Sequence, residues 1–149
     1  MAAGGVGRLH VVDGTLTARK YIDDVLEKKL LPSIMDIAGD QGDPIELIFQ
    51  QDNAPSHTAK ICKSWFTRNN IQVMDWPGNS PDLNLIENLW SQLKRKVAKY
   101  HPTNRRQLIE GIINCWHHVI DKEDLKGLVD SMPRRCMAVI KAKGYPTRY

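Results

Sequence analysis

Short apolar runs rich in β-branched residues alternate with segments of helical periodicity in the first half of this chain. Three of these runs predict β-strands, at residues 7–16, 45–52 and 71–77. The middle run, which begins "IELIF", is apolar without interruption, and that character is typical of a strand covered on both faces. The order strand, helix, strand, helix, strand, followed by helices alone, predicts an α/β fold.

Apolar residues three or four positions apart predict five helices, at residues 17–39, 57–68, 85–100, 103–120 and 122–143. We expect an interruption of the first helix near Pro32, and Ser56 is the predicted N-cap of the second. The third helix should carry one apolar stripe, made of Ile86, Leu89, Trp90, Leu93 and Val97.

The length of 149 residues predicts one domain over residues 1–149, large enough to bury a core. No apolar run approaches the length of a membrane span, and the first residues lack the basic start and apolar stretch of a signal peptide. The cysteines, Cys62, Cys115 and Cys136, are far apart and odd in number, which favours free thiols in a reducing compartment. We therefore expect a location in the nucleus or cytoplasm, without secretion or membrane insertion.

Charge is distributed unevenly along the chain. Residues 1–60 contain 6 basic and 9 acidic side chains, whereas residues 61–149 contain 15 basic and 8 acidic ones. This asymmetry favours a polyanionic partner for the second part of the chain.

Two carboxylates stand at the ends of predicted elements. Asp52 closes the middle strand, and Glu87 lies in the first turn of the third helix. Carboxylates from separate elements can together hold Mg²⁺ or Mn²⁺, which activate water or a hydroxyl for attack on phosphate. Structural roles are equally open, because Asn84 and Glu87 fit a capping box and Asp52 could open an Asx turn.

The segments "QDNAPSHTA" and "WPGNSPDLNLIENLW" resemble the catalytic domain of mariner-type cut-and-paste transposases, the DDE family with a ribonuclease-H-like fold. The resemblance extends over nearly the whole chain, from "HVVDGTL" to the final "GYPTRY". It implies DNA transposition and integration as the activity, and it makes Asp52 and Glu87 two of three metal-binding, catalytic carboxylates. Asn53, Pro55 and His57 are then expected to shape the loop beside Asp52.

The resemblance also implies what this chain lacks. The first aspartate of the family lies on a strand upstream of the segment with which this chain begins, and Asp13 is not its counterpart. We therefore expect an N-terminally truncated, incomplete ribonuclease-H-like fold without its first strand, followed by C-terminal helices. Such a chain would bind a metal weakly and be catalytically impaired. The alternative is an active endonuclease and strand transferase, if an upstream segment or a partner supplies the missing carboxylate. A homo-oligomer is a further expectation.

Six cations follow Glu87 without an acidic residue between them: Lys94, Arg95, Lys96, Lys99, Arg105 and Arg106. These residues could simply form a solvated helix face. The resemblance favours contact with DNA phosphates, which would be largely independent of base sequence.

Overall fold

The chain forms two units in its computed structural model, which describes residues 1–2, 5–38, 47–78, 80–118 and 120–149. One unit is Gly7–Asn79, and the other joins Met1–Val6 to Ser80–Tyr149. Within these ranges, no helix has both the length and the apolar character that a membrane crossing requires.

A helical run occupies residues 18–38 of the first unit in three parts: α1 (Ala18–Lys20), a π-helical segment (Tyr21–Leu30) and α2 (Leu31–Ala38). The predicted interruption near Pro32 is wrong. Before the proline the helix takes wider turns, and the Leu31 N–H donates to the Leu26 carbonyl five residues back. Proline has no N–H to donate, and the π-helical turns let the helix continue past it. The predicted helix end at residue 39 lies outside the described residues.

Strands β1 (Ile48–Phe49) and β2 (Gln72–Val73) pair in parallel, with Ile48 opposite Gln72 and Phe49 opposite Val73. The strands predicted at residues 45–52 and 71–77 are confirmed but shorter, and residues 45–46 lie outside the described ranges. The prediction that the first of them is covered on both faces is wrong, because Ile48 is 48% exposed. Neighbouring strand residues face opposite sides of a sheet, and Phe49 is the one that packs, against Phe66.

The strand predicted at residues 7–16 is wrong. These residues form no ladder with the rest of the described chain, and Val11 and Val12 are exposed. The segment is held by side chains instead. The Arg8 N–H donates to Ser33 Oγ at 2.7 Å, and the Arg8 side chain pairs with Asp36. Alternating apolar residues make a strand only where a neighbouring backbone supplies hydrogen bonds.

The core of the first unit lies between this helical run and α4 (Lys60–Arg68), which follows the short helix α3 (Pro55–Thr58). Its buried members are Tyr21, Ile22, Leu26, Cys62, Trp65 and Phe66.

Both buried cysteines of the chain, Cys62 and Cys115, are free thiols, as is the exposed Cys136, which confirms the prediction of unpaired cysteines.

The described residues of the second unit form a 3₁₀ turn (Pro81–Leu83) and four helices: α5 (Leu85–Ala98), α6 (Arg105–His118), α7 (Lys122–Asp130) and α8 (Met132–Lys141). On α5 the predicted stripe is confirmed. Leu89, Leu93 and Val97 are buried at intervals of four, and Trp90 stacks on Trp116 with ring centroids 5.3 Å apart.

The single helix predicted over residues 122–143 is wrong, because it is divided into α7 and α8 at Ser131. Pro133 lies at the start of α8, where a missing N–H costs no helical hydrogen bond. The same proline cannot continue α7, since its ring would clash with the preceding turn.

Candidate active site

Asp52 lies three residues beyond β1, and its side chain is 64% exposed. Its Oδ1 accepts the Ala54 N–H at 3.2 Å and lies 2.5 Å from His57 Nδ1. The predicted Asx-type turn is therefore present. It uses one carboxylate oxygen, and within the described residues Oδ2 has no hydrogen-bond partner, so it is available to a ligand.

His57 supports this carboxylate from α3. The imidazole ring stacks on Tyr21 with centroids 4.0 Å apart and is only 18% exposed. The predicted N-cap role of Ser56 is wrong, since α3 begins at Pro55. Asp52 Oδ1 instead accepts the N–H of Ala54, the residue just before this helix. Pro55 occupies the first helical position, where proline is favoured.

Tyr21 joins the helical run to the residue before Asp52. Its hydroxyl donates to Gln51 Oε1 at 2.8 Å. Burial raises the pKa of Tyr21, and the nearby Cys62 and Asp52 raise it further, so the phenol remains a neutral donor. Thirty residues separate Tyr21 from Gln51, and no local pattern in the sequence indicates this bond.

Asn53 ties the loop to the segment after β2, because its Nδ2 donates to the Trp76 carbonyl at 2.8 Å. Together with the bond from His57, this confirms that Asn53 and His57 shape the loop. The end of β1 is thereby held at several points, which fixes the direction of the Asp52 side chain.

Glu87 lies in the first turn of α5, in the other unit. Asn84 is confirmed as the N-cap, since its Oδ1 accepts the Ile86 N–H at 3.3 Å. Glu87 does not complete the capping box: its side chain is exposed and forms no hydrogen bond or ion pair within the described residues. Its negative charge lies in the first turn of α5, where it stabilises the helix dipole.

The turn that leads into α5 is fixed by residues near the end of the chain. Asp82 Oδ2 accepts the Thr147 N–H at 2.6 Å, and its carbonyl accepts from Arg135 Nη1 at 3.0 Å. The hydrogen bonds from Thr147 hold the pKa of Asp82 below its usual value, with a smaller contribution from Arg135. Arg135 is buried, donates to Ser131 Oγ and lies over the ring of Tyr149. No local pattern in the sequence indicates this arrangement.

A divalent metal ion needs several hard oxygen ligands. Carboxylate oxygens are the ligands that Mg²⁺ and Mn²⁺ prefer, so Asp52 and Glu87 fit in chemistry. In number they fall short, because the described ranges contain no group of three or more His, Cys, Asp or Glu residues placed to hold an ion.

The six cations predicted to contact DNA lie near the end of α5 and at the start of α6, and we call them the basic segment: Lys94, Arg95, Lys96, Lys99, Arg105 and Arg106. Arg95 and Lys96 are in the last turn of α5, where cations stabilise the helix dipole. Arg105 and Arg106 begin α6, where the dipole disfavours them. Arg106 is 82% exposed, and its ion pair with Glu110 is long at 3.9 Å. Arg95 and Lys96 thus stabilise α5, and Arg106 pairs with Glu110 one turn further along α6.

Residues 4–109 match the family described as DDE superfamily endonuclease. The transposable element Tcb2 transposase of Caenorhabditis briggsae is 40% identical over 141 residues, which is 95% of this chain and 49% of that protein. The transposable element Tcb1 transposase of the same species is 38% identical over 97% of this chain and 50% of its own length. The chain thus spans about half the length of the curated relatives it matches.

A structure of the Mos1 transposase catalytic domain with raltegravir and Mg superimposes with a TM-score of 0.82 at 19% identity, covering 98% of this chain and 73% of that one. This likeness confirms the ribonuclease-H-like α/β fold.

Proposed function

The chain belongs to the DDE superfamily endonucleases, as a catalytic domain of the mariner/Tc type of transposase, and from this we propose that it binds DNA and carries two metal-binding carboxylates, Asp52 and Glu87. The observation that carries the proposal is the state of these two side chains within the family motifs. Both are exposed, Asp52 has one oxygen without a partner, and Glu87 has no partner in the described residues. Exposed carboxylates of this kind are suited to a hydrated divalent cation.

The ion proposed is Mg²⁺ or Mn²⁺. When bound, such an ion supplies a Lewis acid that polarises a phosphoryl oxygen and lowers the pKa of water. The residues of this chain hold and orient the ligand oxygens: His57 and the Ala54 N–H occupy Asp52 Oδ1, which leaves Oδ2 for the ion. The Mos1 catalytic domain, whose structure includes Mg, supports this choice of ion.

The affinity for the ion is proposed to be weak, because a carboxylate that leaves most ligand positions to water holds an ion loosely. Water-proton relaxation during Mn²⁺ titration measures it directly. Asp52→Asn and Glu87→Gln should each weaken binding. The control Asp130→Asn, which removes another exposed carboxylate, should leave it unchanged. Equal binding by all four proteins would contradict the assignment of both residues.

DNA is the proposed partner of the basic segment, whose side chains would contact the phosphate backbone rather than the edges of the bases. The excess of basic residues after residue 60 supports this assignment, and so does the 82% exposure of the Arg106 side chain at the start of α6. The place of action is proposed to be the nucleus, where DNA is found.

A further inference from the structure

A groove of about 350 Å³ lies in the first unit, between α4 and the helical run at residues 18–38. We call it the α4 groove and define it by its polar and aromatic lining: Arg19, Glu27, Lys60, Ser64, Trp65 and Arg68. It contains neither Asp52 nor any residue of the basic segment.

Positive charge is concentrated on one wall of this groove. Lys60, Ser64 and Arg68 follow one another at intervals of four, so they share one face of α4. Lys60 forms no ion pair within the described residues. The Arg68 Nε donates to the Ser64 carbonyl at 3.3 Å, which orients the guanidinium and leaves its terminal N–H groups for a ligand.

The facing wall adds a third cation, Arg19. Its nearest carboxylate, Asp23, is 4.0 Å away, and both side chains are largely exposed, so the pair is weak. The single acidic residue of the lining, Glu27, accepts the Trp65 Nε1–H at 3.2 Å. Three cations therefore line the groove against one carboxylate that already has a partner.

The local charge is opposite to that of the unit as a whole. Residues 7–79 contain 8 basic and 10 acidic side chains. Lys60 and Arg68 share a face of α4 because of their spacing, and folding adds Arg19 to form one concave surface with three cations. Such a concentration attracts a polyanion.

From this geometry we propose that the α4 groove binds the phosphate backbone of duplex DNA, as a second contact surface separate from the basic segment. Eight residues of helix separate Lys60 from Arg68, a length of about 12 Å. That length spans about three or four phosphates of one strand, at roughly 3.4 Å along the duplex axis for each. Of the apolar residues in the lining, Trp65 is 4% exposed, Ile22 is 3% exposed and Ile61 is 42% exposed, so a single side chain offers appreciable apolar surface to a peptide ligand.

The proposal rests on the proposed function, because DNA is the polyanion chosen. The test uses the complete 149-residue chain and a labelled random-sequence duplex, with affinity measured at several salt concentrations. The groove variant is Lys60→Gln with Arg68→Gln. Its matched control, Lys20→Gln with Lys63→Gln, removes two exposed cations of the same helices outside the groove lining.

We expect the slope of log affinity against log salt to become shallower by about 1.8 in the groove variant, because each phosphate that is no longer neutralised reduces the slope by about 0.9. The control should keep the original slope. A charge-conserving variant, Lys60→Arg with Arg68→Lys, should keep it too. Ser64→Glu, which adds a negative charge at an exposed position, should reduce the slope even if the double variant folds poorly.

Three results would overturn the inference. DNA binding with an unchanged slope in both the groove variant and Ser64→Glu would refute the groove while leaving the proposed function intact. No binding of DNA by the unaltered chain would refute both. A poly-glutamate peptide that binds more tightly than DNA, and loses affinity only in the groove variants, would assign the surface to an acidic protein.

Discussion

At the scale of single residues, the orientation of the Asp52 carboxylate depends on the groups that surround it. His57 and the Ala54 N–H take one oxygen, and the ring of Tyr21 backs the imidazole. Packing against a buried aromatic ring restricts the rotamer of His57, which in turn restricts that of Asp52. The direction of the remaining oxygen is therefore a property of the whole cluster.

Asp82 is a second residue at this scale, and its hydrogen bonds affect how the stability of the chain depends on pH. The Thr147 hydrogen bonds lower the pKa of Asp82 in the folded chain. A carboxyl group whose pKa is lower in the folded chain stabilises the fold at pH values above the usual aspartate pKa of about 3.9. That stabilisation is lost as the pH falls through the lower pKa of the folded chain. Asp82→Asn should therefore lower the free energy of unfolding near neutral pH, and the difference from the unaltered chain should shrink as the solution is acidified.

Urea unfolding at about pH 7 and at about pH 2 measures both parts of this prediction. Asp130→Asn serves as the control, because it neutralises an exposed carboxylate of the same unit. A variant as stable as the unaltered chain at neutral pH would show that the negative charge on the acceptor of the Thr147 bond contributes nothing.

At the scale of elements, α5 both packs into the core and presents candidate functional side chains at its two ends. Its first turn presents Glu87, its middle buries Leu89, Leu93 and Val97, and its end presents the first cations of the basic segment. A buried stripe at intervals of four fixes the rotation of the helix. The exposed residues at both ends are fixed with it.

The element-scale prediction concerns the cations of α5. Replacement of Lys94, Arg95 and Lys96 by alanine should make the slope of log DNA affinity against log salt shallower, by about 0.9 for each phosphate that these residues neutralise. The control replaces three other lysines of the same unit, Lys122, Lys126 and Lys141. An unchanged slope in the α5 variant would assign these residues to a solvated face.

At the scale of the whole molecule, the two family motifs fall in different units: Asp52 belongs to Gly7–Asn79, and Glu87 belongs to the unit that contains Ser80–Tyr149. In-line displacement at phosphorus by two metal ions requires them roughly 3.5–4 Å apart. Displacements of about 1 Å cost on the order of 10²-fold in rate. The two family motifs of this chain supply two carboxylates, Asp52 and Glu87.

We accordingly expect the 149-residue chain alone not to nick DNA. A labelled duplex incubated with Mn²⁺ should remain intact with the unaltered chain and with Glu87→Gln alike. Cleavage that disappears in Glu87→Gln would contradict this prediction and show that another group supplies the third ligand. Nicking that appears when a family segment bearing the first strand is added would attribute the inactivity of the 149-residue chain to the lack of that segment.

The sequence by itself determined the features that depend on neighbours within about one helical turn. The amphipathic stripe of α5, the Asn84 cap and the Asx-type turn at Asp52 are all local patterns. The two motif blocks were sufficient to indicate the family. Where a strand depended on a distant partner, as at residues 7–16, local alternation gave the wrong prediction.

Only the tertiary structure decided which distant residues meet. Tyr21 reaches Gln51 across 30 positions, and Asp82 reaches Thr147 across 65. The α4 groove likewise collects Arg19, Lys60 and Arg68 from two helices into a positive surface on a unit with more acidic than basic residues. Hydrogen bonds and electrostatic potentials act over a few ångströms in space. Residues far apart in sequence can be close in space, so the two long-range hydrogen bonds and the approach of Arg19 to α4 follow from the packing of the helices. The shared face of Lys60 and Arg68 follows from their spacing on α4.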